Sequence, residues 1–166
     1  GYDVTVGSLA LSASYNPKPG TAAAPETAES GYAVVYSGLM DGLELSAGLF
    51  DDGDTAENDT VGVKYTMGSV TAAYQITNVD YEAQASTDED ASHYGISIAV
   101  NENLSVSAGR QEIEFDGAAD DEVNTGLSAS YTMGSIAIGG GFNSVASVGG
   151  SATAEDIDAS ILNIAF

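Results

Sequence analysis

The sequence predicts an all-β chain, about eleven strands of an antiparallel transmembrane β-barrel, and three observations predict it. Segments with period-two hydrophobicity are joined alternately by very short and by long connections. One side of each segment is apolar while the other is small or polar. Acidic residues gather around the long connections. Transmembrane barrels have this sidedness, with tight turns at one end and long loops at the other, and a soluble β-sandwich does not.

In chain order, five tight turns set out the hairpins. Gly7 and Ser8 form the first, Asp41 and Gly42 the second, Gly68 and Ser69 the third, Asn101, Glu102 and Asn103 the fourth, and Gly134 and Ser135 the fifth. Each supplies the Gly, Asn or Asp that a hairpin needs where φ is positive. The hairpin around Gly68 and the one around Gly134 are nearly the same phrase, since Tyr65-Thr66-Met67-Gly68-Ser69 recurs as Tyr131-Thr132-Met133-Gly134-Ser135. Longer polar connections are expected at 16–30, 51–59, 80–92, 116–122 and 144–154, with a final strand from about 155 to 166. Two strands for each hairpin and the final one make eleven. Of the 25 acids, 21 lie around these long connections, the exceptions being Asp3, Asp41, Glu44 and Glu102.

Within the strands, alternate side chains point to opposite faces. Leu9, Leu11, Ala13 and Tyr15 oppose Ala10, Ser12 and Ser14, and Leu43, Leu45, Ala47 and Leu49 oppose Glu44, Ser46 and Gly48. Tyr94, Ile96, Ile98 and Val100 oppose Gly95, Ser97 and Ala99, and Leu127, Ala129, Tyr131 and Met133 oppose Gly126, Ser128, Ser130 and Thr132. An apolar face turned outward to lipid fits this pattern; a soluble barrel would carry Lys, Glu and Arg on its outside. Tyrosines fall near strand ends, Tyr65 and Tyr131 before tight turns and Tyr15, Tyr32 and Tyr94 beside long loops. That placement suits two membrane interfaces, although tyrosine is also simply a good strand residue.

Composition narrows the function classes. The apolar fraction of 43% is carried largely by Ala, Val and Tyr, with Phe 4 and Trp 0, which is thin for a water-soluble core. No run is long enough to span a bilayer as a helix, which leaves strands as the membrane solution. A net charge of -22, with only Lys18, Lys64 and Arg110 as bases, argues against nucleic acid. Cys 0 removes thiolate chemistry, and one histidine, His93, leaves no zinc site or His-based triad. No catalytic constellation is found, and the chain is not expected to be an enzyme. Gly1 follows no Met or basic segment, as expected of a mature or truncated product.

The last segment, Ile161-Leu162-Asn163-Ile164-Ala165-Phe166, ends on an aromatic preceded by alternating apolar residues. With the repeated phrase at Gly126-Leu127-Ser128-Ala129-Ser130-Tyr131 and the acidic loop that follows, it resembles the end of general outer-membrane porins of alphaproteobacteria such as Rhodobacter. The resemblance implies a barrel of about 16 strands in the bacterial outer membrane, lipid and lipopolysaccharide as surroundings, a homotrimer, passive diffusion of small hydrophilic solutes, and Phe166 as part of the C-terminal assembly signal. Residues 1–166 would then be one region of such a barrel, incomplete at the N-terminus, because an odd strand count puts Gly1 at the loop end. The family's constricting third loop would precede it.

Six residues are candidates for the pore lining: Lys64, Thr66, Ser97, Ser128, Ser130 and Arg110. Lys64 shares its face with Gly62 and Thr66 and either sets ion preference or is a solvated lysine. Arg110 has the parity of Leu104, Val106 and Ala108, and a bulge near Gly109 is expected to turn it inward. Asp51, Asp52, Asp54, Asp88 and Asp90 offer oxygen ligands for Ca²⁺ or Mg²⁺ in external loops, without EF-hand spacing; no other cofactor is expected. His93 is expected at the rim. The dense acids predict a cation-preferring channel. The alternative is a Ca-stabilised extracellular structural or adhesive β protein, and a further variant discards the first strand to make a ten-stranded barrel.

Overall fold

The computed structural model describes residues 1–17, 27–53, 55–82 and 88–165. Lys18, Asp54 and Phe166 therefore lie outside the described residues. Eleven strands form one antiparallel sheet in strict sequence order, with β1 and β11 at its edges. They are β1 (Tyr2–Val6), β2 (Leu9–Asn16), β3 (Glu29–Tyr36), β4 (Leu43–Asp51), β5 (Ala56–Met67), β6 (Val70–Tyr81), β7 (Glu89–Ala99), β8 (Leu104–Phe115), β9 (Glu122–Met133), β10 (Ile136–Ala146) and β11 (Ile157–Ala165). Among the described residues no helix is long and apolar enough to cross a membrane, which says nothing of strands. The sheet is a single layer and not a β-sandwich. The first strand is part of the sheet, paired with β2 from Tyr2–Ala13 to Val6–Leu9, and the ten-strand count is corrected accordingly.

Three of the tight turns have the geometry their Gly-Ser sequence requires. Gly7, Gly68 and Gly134 have φ of 61, 60 and 61°, and the following serines keep negative φ. This is the type II′ pattern, whose twist matches that of the strands it joins. At Gly68 the two-residue loop closes directly on the Met67–Val70 pair.

The long connections are shorter than the sequence suggested, because the strands run on into acidic residues. Glu57 and Asp59 are in β5, Asp80 in β6, Asp90 in β7 and Glu112 and Glu114 in β8. Glu57 faces Asp51 and Asp80, and Asp90 faces Glu114, in unbroken ladders. Charge marks where these strands leave an apolar medium; it does not end a ladder whose backbone bonds continue in water.

The described residues have no packed core. Ala56, 8% exposed, is the buried hydrophobic residue among those described, while large side chains such as Leu49, Val61, Met133 and Leu162 are 61, 52, 60 and 69% exposed. The accessible surface is 10839 Å², against about 7,600 Å² expected for a folded water-soluble chain of 16.7 kDa. A single layer exposes both of its faces, the apolar one included.

That face is continuous across the ladders. Val4, Leu11, Val34, Ala47, Val61 and Ile76 are successive cross-strand partners. Eight of the nine tyrosines lie on it, Tyr36, Tyr65 and Tyr131 toward the tight turns and Tyr15, Tyr32, Tyr74 and Tyr94 nearer the loops. Strand propensity alone would spread tyrosine over both faces, so the one-sided placement supports the interface reading.

The apolar stripe also slides along the register. Leu49 pairs with Asp59, Ile76 with Ser92, Tyr94 with Arg110 and Phe142 with Ser160, so at these four of the seven steps from β4 to β11 the main apolar stripe, taken to end at Leu127 on β9 where Thr125 interrupts it, stops two positions closer to the turn end. The other steps, Val61–Ile76, Ala108–Leu127 and Leu127–Phe142, are level. The total drop is eight residues over seven steps, slightly more than one residue per strand. With a rise of about 3.3 Å and a strand spacing of about 4.8 Å, a level band then requires strands tilted by about 38°, within the range of roughly 35–45° for membrane barrels.

Candidate functional site

The opposite, small and polar face is the candidate site. Its rows follow from register. Nearest the tight turns is a hydroxyl row in which Thr66 faces Thr71, Thr71 faces Ser97, Ser97 faces Ser107 and Ser107 faces Ser128. The hydroxyls bond one another across the strands, Thr66 to Thr71 at 3.0 Å, Ser107 to Ser128 at 2.7 Å and Ser105 to Ser130 at 2.8 Å. A hydroxyl both donates and accepts, so such pairs are satisfied while leaving a wettable surface. Thr66, Ser97, Ser128 and Ser130 all lie on this face.

The next row toward the loops begins with an ion pair. Lys64 and Glu44 are cross-strand partners, with Nζ 2.7 Å from Oε1. Lys64 is thus not an isolated solvated lysine. The row continues through Ala73, Gly95, Gly109 and Gly126 to Asn143. Above it runs a row of amides and imidazole, Gln75 facing His93, His93 facing Gln111 and Gln111 facing Asn124. His93 is the fifth residue of β7 and not a rim residue, since the strand begins at Glu89. These rows line an open concavity of about 660 Å³, with Lys64, Gln75, His93, Gln111 and Asn143 among its lining residues.

Arg110 is elsewhere. β8 pairs without interruption through Tyr94–Arg110 and Gly95–Gly109 on one side and Gly109–Gly126 and Arg110–Thr125 on the other. The expected bulge is absent and Arg110 stays on the apolar face. It is accommodated there because it sits where the stripe ends. Its Nε and Nη2 donate to Glu112 Oε1 at 2.9 and 2.5 Å, and Tyr94 is its cross-strand neighbour. Near an interface an arginine on the lipid side costs only about 0–1 kcal/mol, so no inward turn is needed.

Three of the candidate metal ligands, Asp51, Asp52 and Asp88, accept local backbone hydrogen bonds. Gly53 N–H donates to Asp51 Oδ1 at 2.6 Å, Thr55 and Ala56 N–H donate to Asp52 Oδ1 at 2.7 and 3.0 Å, and Tyr81 N–H donates to Asp88 Oδ1 at 2.8 Å. Asp90 is a strand residue opposite Glu114. Among the described residues no three His, Cys, Asp or Glu are grouped to hold a metal ion. These acids close turns. At the same rim the Tyr81 hydroxyl donates to Glu89 Oε1 at 3.4 Å, and the Glu89 carboxylate raises the phenol above its usual range.

The sequence reading missed Glu44 as the partner of Lys64 and missed the amide row. For His93 a signal was available, since it shares the parity of Gly95 and Ser97. For Gln75, Gln111 and Asn124 parity assigns a face, but nothing local says that they are neighbours.

Comparison with known proteins follows the same lines. The family model described as Gram-negative porin matches residues 1–166. A Rhodobacter porin refined at 1.8 Å superposes with a TM-score of 0.70 at 20% identity, covering 98% of this chain and 60% of that one. Outer-membrane expressed OmpT of Vibrio cholerae gives 0.69 at 17% identity over 96% of this chain and 60% of its own. Pseudomonas aeruginosa OccD3 (OpdP) gives 0.69 at 11% identity, with coverages of 86 and 47%. The chain thus spans about three fifths or less of these structures, and the likeness is one of fold. No curated protein matches. With a family match over every residue, an antiparallel meander, a lipid-compatible face and tilted strands, the chain belongs to the Gram-negative porin family and forms a wall of a bacterial outer-membrane β-barrel.

Proposed function

We propose that this wall lines a water-filled channel for passive diffusion of small hydrophilic solutes and ions, with a preference for cations. One observation carries the preference. Among the described strands Lys64 is the sole lysine or arginine on the polar face, and Glu44 offsets it, whereas Glu29, Glu89 and Glu122 lie on that face toward the loops. Cations are concentrated at such a mouth and anions repelled, more strongly at low salt because the screening length is about 8 Å at about 0.15 M. Reversal potentials of the full-length protein in planar bilayers under a KCl gradient are expected to show K⁺ favoured over Cl⁻, the ratio falling as salt rises. Anion preference sinks the proposal.

The barrel we propose has about 16 strands, of which these are the C-terminal eleven, and assembles as a homotrimer among lipid and lipopolysaccharide. Its support is the partial coverage of the similar structures. Mass spectrometry of the intact protein is expected to exceed 16.7 kDa by about five strands and their loops; a mass of 16.7 kDa would contradict it.

A further inference from the structure

At the loop end of the wall one connection folds back over its neighbours. The ladder of β10 with β9 ends at Ala146–Val123, and that with β11 begins at Val145–Ile157. Between them the chain makes a single 3₁₀ turn, Val148–Gly150, which touches both β8 and β9. Left-handed backbone makes the reversal. Ser147, Gly149 and Gly150 have φ of 52, 64 and 70°, and Ser147 is the one non-glycine with positive φ among the described residues. Such a conformation is costly for a residue with a side chain and persists where its surroundings hold it.

Three bonds fasten the turn to β9 and to the connection before it. Ala119 and Asp120 N–H both donate to the Gly150 carbonyl at 3.2 Å, and Gly149 N–H donates to Glu122 Oε2 at 2.8 Å. Asn124 Nδ2 donates to the other carboxylate oxygen of Glu122 at 2.9 Å and so steadies it. Gly150 is buried, and no side chain fits in its place: a Cβ would lie 2.5 Å from Ala118 Cβ, 2.9 Å from the Asp120 carbonyl oxygen and 3.1 Å from Phe115 Cδ2. Parity gives the side of the wall. Glu122 shares the face of Asn124 and Ser128, and Phe115, opposite Glu89, shares the face of Gln111 and Ser107. Both belong to the polar face, so the turn lies on the lumen side. Phe115 is an apolar ring on this wet face, and packing of the turn against it removes apolar surface from water.

We propose that this turn is a latched strap that narrows the loop-end mouth of the channel, with Glu122 as its latch. A segment held on the lumen side of β8 and β9 takes up cross-section that a connection standing clear of the wall would leave open. The bond to Glu122 is charge-assisted and roughly twice as strong as a neutral one, so the strap depends most on that single carboxylate. None of the three bonds belongs to a strand ladder, and the strap can lift while the wall stays paired. Its effect on permeation rests on the channel reading; the latch itself does not.

The test uses the full-length protein, first in detergent micelles. Hydrogen exchange read by mass spectrometry is expected to show protection of residues 116–122 and 147–151, and Glu122→Ala is expected to lower it about ten-fold, the loss of a hydrogen bond to a charged group. Gly150→Ala is expected to lift the turn through its clash with Ala118, whereas Thr153→Ala, an exposed change beyond the turn, leaves it closed. β-Sheet circular dichroism is expected to be the same in all of them. In planar bilayers at about 1 M KCl the screening length is about 3 Å and the lost charge counts little. There Glu122→Ala and Gly150→Ala are expected to raise the single-channel conductance and the size of the largest polyethylene glycol that enters from the loop side. Free exchange of residues 147–151 in the unaltered protein overturns the latch. Protection lost in Glu122→Ala with conductance and glycol cut-off unchanged overturns the narrowing while the channel stands. A protein that opens no conductance overturns the channel reading and the narrowing with it.

Discussion

Lys64 and Arg110 carry the same charge on opposite faces of the sheet, and their consequences differ accordingly. Lys64 faces the polar side and is held by Glu44 at 2.7 Å. Replacing it with Gln leaves Glu44 uncompensated, and the K⁺ to Cl⁻ permeability ratio is expected to rise about two-fold at low salt, where a single lumen charge is least screened. Arg110 sits on the apolar face where the stripe ends, tied to Glu112. Arg110→Leu is expected to leave the permeability ratio unchanged and to alter stability by less than about 1 kcal/mol, since an arginine near the interface costs about 0–1 kcal/mol. A permeability shift in Arg110→Leu would mean that the side chain reaches the lumen after all.

Strands and turns add a second layer of tests. Parity in β9 puts Ala129 on the lipid side in the middle of the apolar stripe and Ser128 on the polar side next to it. Ala129→Arg is expected to cost about 2–4 kcal/mol, as arginine does at the bilayer midplane. Ser128→Arg, one residue away, is expected to cost under about 1 kcal/mol, within the ordinary range for an exposed change. Urea unfolding of the full-length protein in lipid vesicles, followed by circular dichroism, separates the two; equal losses would contradict the face assignment. The turn at Gly68 is the other sensitive element. Its φ of 60° suits glycine and strains a β-branched residue, so Gly68→Val is expected to destabilise by about 1–3 kcal/mol, whereas Ser69→Thr, at negative φ, is expected to be near neutral.

Across the whole molecule the organising quantity is the relation between register and membrane level. The apolar stripe drops by eight residues over seven strand-to-strand steps, which fixes a tilt of about 38° and turns rows that run straight across the ladder into oblique paths through the wall. The same geometry explains why the acids extend so far down the strands. Around β5 to β8 the ladders rise above the band, and Asp59, Asp80, Asp90 and Glu112 follow them into water. A layer with 10839 Å² exposed has to give its apolar side to lipid. The full-length protein is expected to need detergent for extraction and to keep its β-sheet circular dichroism in excess chelator. Loss of that signal in chelator would point to the loop acids as structural metal sites.

Sequence alone determined the number of strands, the three Gly-Ser turns and the face of nearly every strand residue. Those are local properties: a period of two is intrinsic to the extended chain, and a Gly-Ser pair between two apolar runs specifies its turn by sterics. The Asp41-Gly42 turn is part of a six-residue connection from Ser37 to Gly42, and no residue of the Asn101–Asn103 turn has a positive φ. Tertiary structure decided what depends on register between segments far apart in the chain. It set where strands end, because backbone pairing continues past the membrane edge. It kept Arg110 on the apolar face, because the ladder through Gly109 has no bulge. It paired Lys64 with Glu44, and it aligned Gln75, His93, Gln111 and Asn124 above a floor of glycines. Each of those residues has a face by parity, but which of them become neighbours follows from hydrogen bonds that join one strand to the next.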